Sequence, residues 1–241
     1  MLLCLITASF HSSMRPVSFP IRRHELYDLI DSGEGADVEF KRQFSSPEKI
    51  AREIIAFANT RGGYLLFGVD DDGTVVGVRS EKSELEEIEH AARWMIEPPV
   101  DIITENVHAG KGFYIVLVRV PESTAKPHVL VEYDSSGKRS KTQAGTGFVR
   151  FEDKSVQASR EMMNVMRGQS PEGKPLKLTI GHNEKALFEY LERNNKITVE
   201  EFANLVNISR RRASKILVNL VRAGTLLIHA FEKTEFFTLV K

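Results

Sequence analysis

Tyr64 to Val69, read as YLLFGV, is a continuous apolar run that follows directly on two glycines and a helical pattern. A short run of this kind predicts a strand buried on both faces, so the chain must supply cover above and below it. The preceding residues limit what that cover can be. Ser45-Ser46-Pro47-Glu48 combines a hydroxyl cap, an early proline and an acid placed against the helix dipole, which together start a helix. Ile50, Ile54, Ile55, Phe57 and Ala58 then recur at helical spacing and form one apolar face. Gly62-Gly63 stops that helix, because glycine enters left-handed geometry without a steric penalty. On the near side, Val38-Glu39-Phe40-Lys41 alternates apolar and charged residues as a half-buried strand does. On the far side, Asp72-Gly73 makes a tight turn into a second apolar run, Thr74 to Val78. The unit is strand, helix, strand, hairpin strand, and its polar residues gather at Glu34, Glu39, Lys41 and Asp70 to Asp72.

The chain around this unit reads as α+β. Arg22 to Asp31 is a short helix with Leu26, Leu29 and Ile30 inward, and Glu81 to Glu97 is an acidic helix with Leu85, Ile88, Ala92, Trp94 and Met95 inward. Pro98-Pro99 ends the second helix. Strands are expected at Val100 to Val107, Phe113 to Val120, His128 to Tyr133 and Phe148 to Phe151, and a helix at Ala158 to Arg167. Between them, Ser135 to Gly147 is a small, polar surface loop carrying Lys138, Arg139 and Lys141. Residues 169–181 are the linker, built on the glycine, serine and proline of Gly168 to Lys174. Beyond it the pattern turns helical: Asn183 to Asn194, then Val199 to Val206 behind a Thr198–Glu201 capping box, then a helix capped by Ser209 and running to Ala223. Leu226 to His229 and Glu235 to Val240 close the chain as a β-hairpin.

Composition excludes some classes. The 241 residues carry 33 basic and 33 acidic side chains, so no whole-molecule attraction to a polyanion exists. The balance is uneven, however: from Lys177 onward there are eleven basic against seven acidic residues, and any contact with nucleic acid rests on local patches. Cys4 is the single cysteine, which rules out an internal disulfide and a cysteine-based zinc site and suits a reducing cytoplasm. None of the seven histidines pairs with another at metal-ligand spacing on a helix. No Walker-type GxxxxGK[ST] is present, which argues against ATP hydrolysis. Met1 to Phe10 is apolar without a basic leading region and too short to span a bilayer. Residues 1–20 are read as a disordered lead-in, with the start at Met1 or Met14.

The stretch VEFK, a helix closing in AFANTRGG, and then YLLFGVDDDGTVVGV resembles the Schlafen-type AlbA-like domain. KPHVLVEY followed by GFVRFEDKSVQASREMM resembles the C-terminal signature of that domain, a strand with an aromatic and an arginine leading into a short helix. The likeness spans residues 21–168. Residues 182–241, three helices and a two-stranded wing, resemble a winged helix-turn-helix domain, a common DNA-binding module. The resemblance implies a nucleic-acid-binding protein and, with the winged helix, a transcriptional regulator. A symmetric homodimer is expected, because the animal Schlafens pair two related lobes where this chain has one.

In the animal Schlafens the resemblance also implies a metal-dependent endoribonuclease acting on structured RNA. The positions matching its acids are Glu34, Glu39 and Asp71, which would hold Mn2+ or Mg2+. Lys41 could hold the scissile phosphate as a point charge. Glu34 and Glu39, five residues apart, can converge only if the loop between them folds back. The animal proteins also carry a zinc cluster that a chain with one cysteine cannot build. A plainer reading of the same residues stands beside the nuclease: Glu39 pairs with Lys41 or Arg42, and Asp70 to Asp72 is a turn on conformational grounds alone. Asn59, Arg61, Gly62 and Gly63 are candidates for contacting a phosphate, against a helix C-cap. Arg210, Arg211, Arg212 and Lys215 open the third C-terminal helix, where they would meet bases or phosphates. A third reading, from another class, is a protein-interaction module.

Overall fold

The alternation in VEFK and the apolar run after Gly62-Gly63 place two strands side by side. In the computed structural model, β1 (Val38–Lys41) lies parallel to β2 (Gly62–Phe67), with Val38 opposite Tyr64 and Lys41 opposite Phe67. The structure describes residues 17–131, 145–231 and 234–240. The connection from β1 to β2 is α2 (Pro47–Asn59), capped where Ser46 Oγ accepts from Lys49 N. Two long antiparallel strands complete the sheet, β4 (Ile103–Gly110) and β5 (Phe113–Pro121), in the order β1-β2-β5-β4.

Both faces of β2 are covered, as its unbroken apolar run requires. On one face Leu65, Phe67, Val116, Val118 and Val120 pack with α2 and with α3 (Glu81–Trp94). On the other, Val38, Phe40, Tyr64, Leu66, Ile115 and Leu117 pack with α1 (Arg23–Asp31) through Leu26, Leu29 and Ile30. Glu39 alternates with Val38 and Phe40 and so lies on the α2 side. Two short pairings sit outside this sheet: β3 (Ile96–Glu97) with β6 (Val129–Leu130), and the hairpin of β7 (Phe148–Phe151) with β8 (Lys154–Gln157).

Several expectations are corrected. Gly62 and Gly63 begin β2 instead of ending α2, whose cap is Thr60. Their lack of a side chain serves close approach: a Cβ on Gly63 would stand 2.3 Å from the Phe57 ring, and one on Gly62 would stand 2.6 Å from the Val120 carbonyl. Thr74 to Val78 forms no strand and makes a single bridge, Val69 to Val75. Trp94 is 59% exposed, because Ile88, Ala91 and Ala92 make the inward face of α3.

The described residues divide into two units, one up to Gln157 and one from Ala158 onward. The boundary therefore falls before α4 (Arg160–Gln169) instead of after it. Ser214 Oγ in α7 donates to Glu161 Oε1 in α4 at 2.8 Å, and Arg222 Nη2 donates to the Gly168 carbonyl at 2.8 Å and the Lys174 carbonyl at 2.6 Å. Residues expected as a linker are thus tied to α7. The second unit continues with α5 (His182–Asn194), α6 (Val199–Leu205), α7 (Arg210–Arg222) and the antiparallel pair β9 (Leu226–Phe231) and β10 (Thr234–Leu239). The Thr198–Glu201 capping box forms as its sequence implied, with Thr198 N donating to Glu201 Oε2 at 2.8 Å. Ile197 adds a bridge to Phe237 on the free side of β10. Among the described residues no helix is long and apolar enough to cross a membrane.

Candidate functional site

The loop before β1 does fold back. Gly35 N donates to the Val38 carbonyl at 2.9 Å, and Glu34 Oε1 accepts from Phe40 N at 2.8 Å. β1 is an edge strand, and this loop satisfies polar groups that the edge would otherwise leave open. Partial burial raises the pKa of Glu34, and the fields of Glu39 and Asp71 raise it further. The Phe40 amide and Lys41 pull the other way. Glu34, Glu39, Lys41 and Asp71 therefore share one electrostatic neighbourhood at the end of the two parallel strands. Asp71 is exposed, Asp70 pairs with Arg42 at 2.6 Å, and Asp72 Oδ1 accepts from Thr74 N at 2.9 Å to shape the turn.

Glu39 is 8% exposed and engaged on both oxygens. Lys41 binds Oε1, and Arg150 Nη1 reaches Oε2 at 3.0 Å. Arg150 comes from β7, 111 residues further along the chain, and sequence reasoning assigned it no contact. The same Nη1 lies 3.1 Å from Glu53 Oε2 on α2, and Nη2 donates to the Gly35 carbonyl at 2.6 Å. The guanidinium stands 4.7 Å from the centre of the Phe57 ring. Among the described residues no three His, Cys, Asp or Glu side chains are grouped so as to hold a metal ion. Glu39 has both oxygens on cations and Glu34 has Oε1 on a backbone amide, so as placed these residues do not group into the carboxylate metal centre that the resemblance implied.

Asn59 is 1% exposed, and its side chain is taken up by the fold. Its Nδ2 donates to the His128 and Phe148 carbonyls at 2.9 and 3.0 Å, and its Oδ1 accepts from His128 N at 2.8 Å. Gly62 and Gly63 are buried in β2. Of the four phosphate candidates, Arg61 alone is partly exposed.

The cations of the second unit are placed differently. Ser209 Oγ caps α7 by accepting from Arg212 N at 3.3 Å, and the first turn contains no acid. Ala213, Leu217, Leu220 and Val221 are buried, which turns Arg210, Arg211, Arg212 and Lys215 outward, all four exposed. None of the four makes an ion pair among the described residues. Arg222 is spent on the two carbonyls of the α4 end. Lys138, Arg139 and Lys141 lie outside the described residues.

Among the solved structures similar to this chain are these two. One is the DIP2311 protein from Corynebacterium diphtheriae, 17% identical with a TM-score of 0.43, over 81% of this chain and 37% of that one. The other is the N-terminal domain of a protein related to the ATP-dependent DNA helicase RecG, from Nitrosomonas europaea. It is 23% identical with a TM-score of 0.36, over 55% of this chain and 90% of that one. This chain thus spans little more than a third of the first. Residues 34–159, more than half of the sequence, match the family described as Schlafen, AlbA_2. That span holds β1, α2 and β2 together with Arg150 and its partners, and by it the chain belongs to the Schlafen AlbA_2 family.

Proposed function

We propose that this protein binds nucleic acid as a transcriptional regulator and that α7 is the helix that meets the nucleic acid. The observation that carries the reading is the start of α7, where Arg210, Arg211 and Arg212 in the first turn and Lys215 in the next are exposed and the first turn holds no acid. A helix N-terminus carries a partial positive charge, so this arrangement costs stability in the free protein. A polyanion supplies the missing counter-charge. The order of α5, α6, α7 and the β9–β10 pair, with Ile197 bridged to Phe237, supports a winged-helix reading in which the third helix enters the major groove. On that reading the N-terminal residues of α7 lie nearest the bases, where arginine bonds to guanine or to phosphate.

The test is Arg211→Ala with Arg212→Ala in the full chain, assayed by gel-shift titration on duplex DNA, single-stranded DNA and tRNA. Both side chains are exposed, so the variant keeps its fold. A base-reading arginine costs ~1–3 kcal/mol and relaxes preference at one position. A phosphate-contacting one lowers the salt slope by roughly one unit. Unchanged affinity and slope would reject α7 as the reader and favour a protein-interaction module.

A further inference from the structure

Arg150 Nη1 sits among oxygens contributed by three separate elements: Glu39 Oε2 on β1 at 3.0 Å, Glu53 Oε2 on α2 at 3.1 Å and Ser155 Oγ on β8 at 3.3 Å. Nη2 takes a fourth oxygen, the Gly35 carbonyl, and the Ser155 hydroxyl in turn donates to Glu53. The Arg150 side chain is 1% exposed. Two carboxylates, a hydroxyl and a carbonyl around one buried position are the donors that a hard divalent cation takes. Here the position is filled from within the chain. Lys41 adds a second positive charge on Glu39, so the carboxylates of Glu39 and Glu53 meet two cations.

We propose that the guanidinium of Arg150 is the resident cation of this oxygen-lined site, doing from β7 what a divalent ion would otherwise do. Glu39 is then a structural anion and no metal ligand. The cluster clasps the β7–β8 hairpin to β1 and α2 without any ion from solution. Phe57 forms the floor of the site, and Gly63 permits it, because a Cβ there would meet that ring at 2.3 Å. The same position becomes a cation site only when the guanidinium is taken away. Glu39 is buried and Glu53 partly buried, which makes that loss severe, since an uncompensated buried charge costs far more than an exposed one.

The experiment compares thermal melting of the wild-type chain, Arg150→Ala and the neutralised triple variant Arg150→Met/Glu39→Gln/Glu53→Gln, each with and without millimolar MnCl2 or MgCl2, and with NaCl at matched ionic strength. The wild-type midpoint is expected not to move with either metal. Arg150→Ala should melt about 10 °C lower and recover several degrees with Mn2+ but not with NaCl. The triple variant should regain most of the loss and ignore the metal. Should Arg150→Ala not fold, the triple variant decides: a folded, metal-indifferent protein supports the proposal, and its failure to fold overturns it. A metal-dependent rise in the wild type that Glu39→Gln abolishes also overturns it, as does an Arg150→Ala protein that melts with the wild type.

Discussion

Replacing Asn59 by alanine should destabilise the first unit by about 3–4 kcal/mol. The side chain makes three hydrogen bonds of 2.8 to 3.0 Å and joins the end of α2 to segments 69 and 89 residues away. Alanine removes the amide and leaves one N–H and two carbonyls in a place where Asn59 itself is 1% exposed. Each orphaned buried group costs ~1–3 kcal/mol. The three share one residue, so their losses couple and the total falls below the simple sum. Asn59→Asp should be worse, because a carboxylate would then face two carbonyls. Urea unfolding followed by far-UV circular dichroism measures the effect as a lower midpoint at constant slope. A loss below about 1 kcal/mol would refute the accounting. Unchanged stability with weakened nucleic-acid binding would return Asn59 to the role of phosphate contact.

His229 and Glu235 should give the second unit opposite dependences on pH. Burial pushes His229 down to about 4, so its contribution is full above pH 6.5 and lost as pH falls through 4; burial, helped by Glu161, pushes Glu235 up to about 7, so its contribution is full below pH 4.5 and lost as pH rises through 7. Each is worth ~3 kcal/mol at full extent, the two nearly cancel in the wild type, and melts between pH 4.5 and 6.5 should show His229→Gln losing stability with rising pH and Glu235→Gln gaining it; slopes of the same sign would contradict this. Gly63→Ala should lower the melting temperature steeply, since its Cβ would meet the Phe57 ring at 2.3 Å and the Asp37 carbonyl at 2.9 Å, whereas Gly33→Ala, with nothing within 4 Å, carries only the strain of its φ of 71°. Light scattering at tens of micromolar should give a dimer mass if two copies present paired α7 helices to a palindromic site; a monomer mass would reject that arrangement.

What the sequence revealed was local. Hydroxyl caps at Ser46, Thr198 and Ser209 and the apolar spacing of α2 depend on neighbours within one or two turns, and the structure keeps them. Trp94 was misplaced because its apolar character outweighed its phase: six residues after Ile88, at ~3.6 residues per turn, it points well away from the inward face. The larger misses are long-range. Glu39 reads as half of a surface pair with Lys41 until β7 delivers Arg150 across 111 residues, and no periodicity contains that contact. Asn59 beside two glycines looks like an anion-binding turn, and only the fold shows its amide buried against His128 and Phe148. α4 was legible as a helix, but its attachment to α7 through Glu161 and Ser214 was not.

Fluorescence anisotropy of a labelled duplex, titrated with the full chain across a range of salt concentrations, tests the central claim most directly. If the exposed arginines of α7 meet phosphates, the logarithm of the binding constant should fall linearly with the logarithm of salt, by roughly one unit of slope per contact. Replacing Arg210, Arg211, Arg212 and Lys215 with alanine should flatten that line while Arg42→Ala, outside α7, leaves it unchanged. Absence of binding at low salt, or a slope indifferent to the four substitutions, would contradict the account.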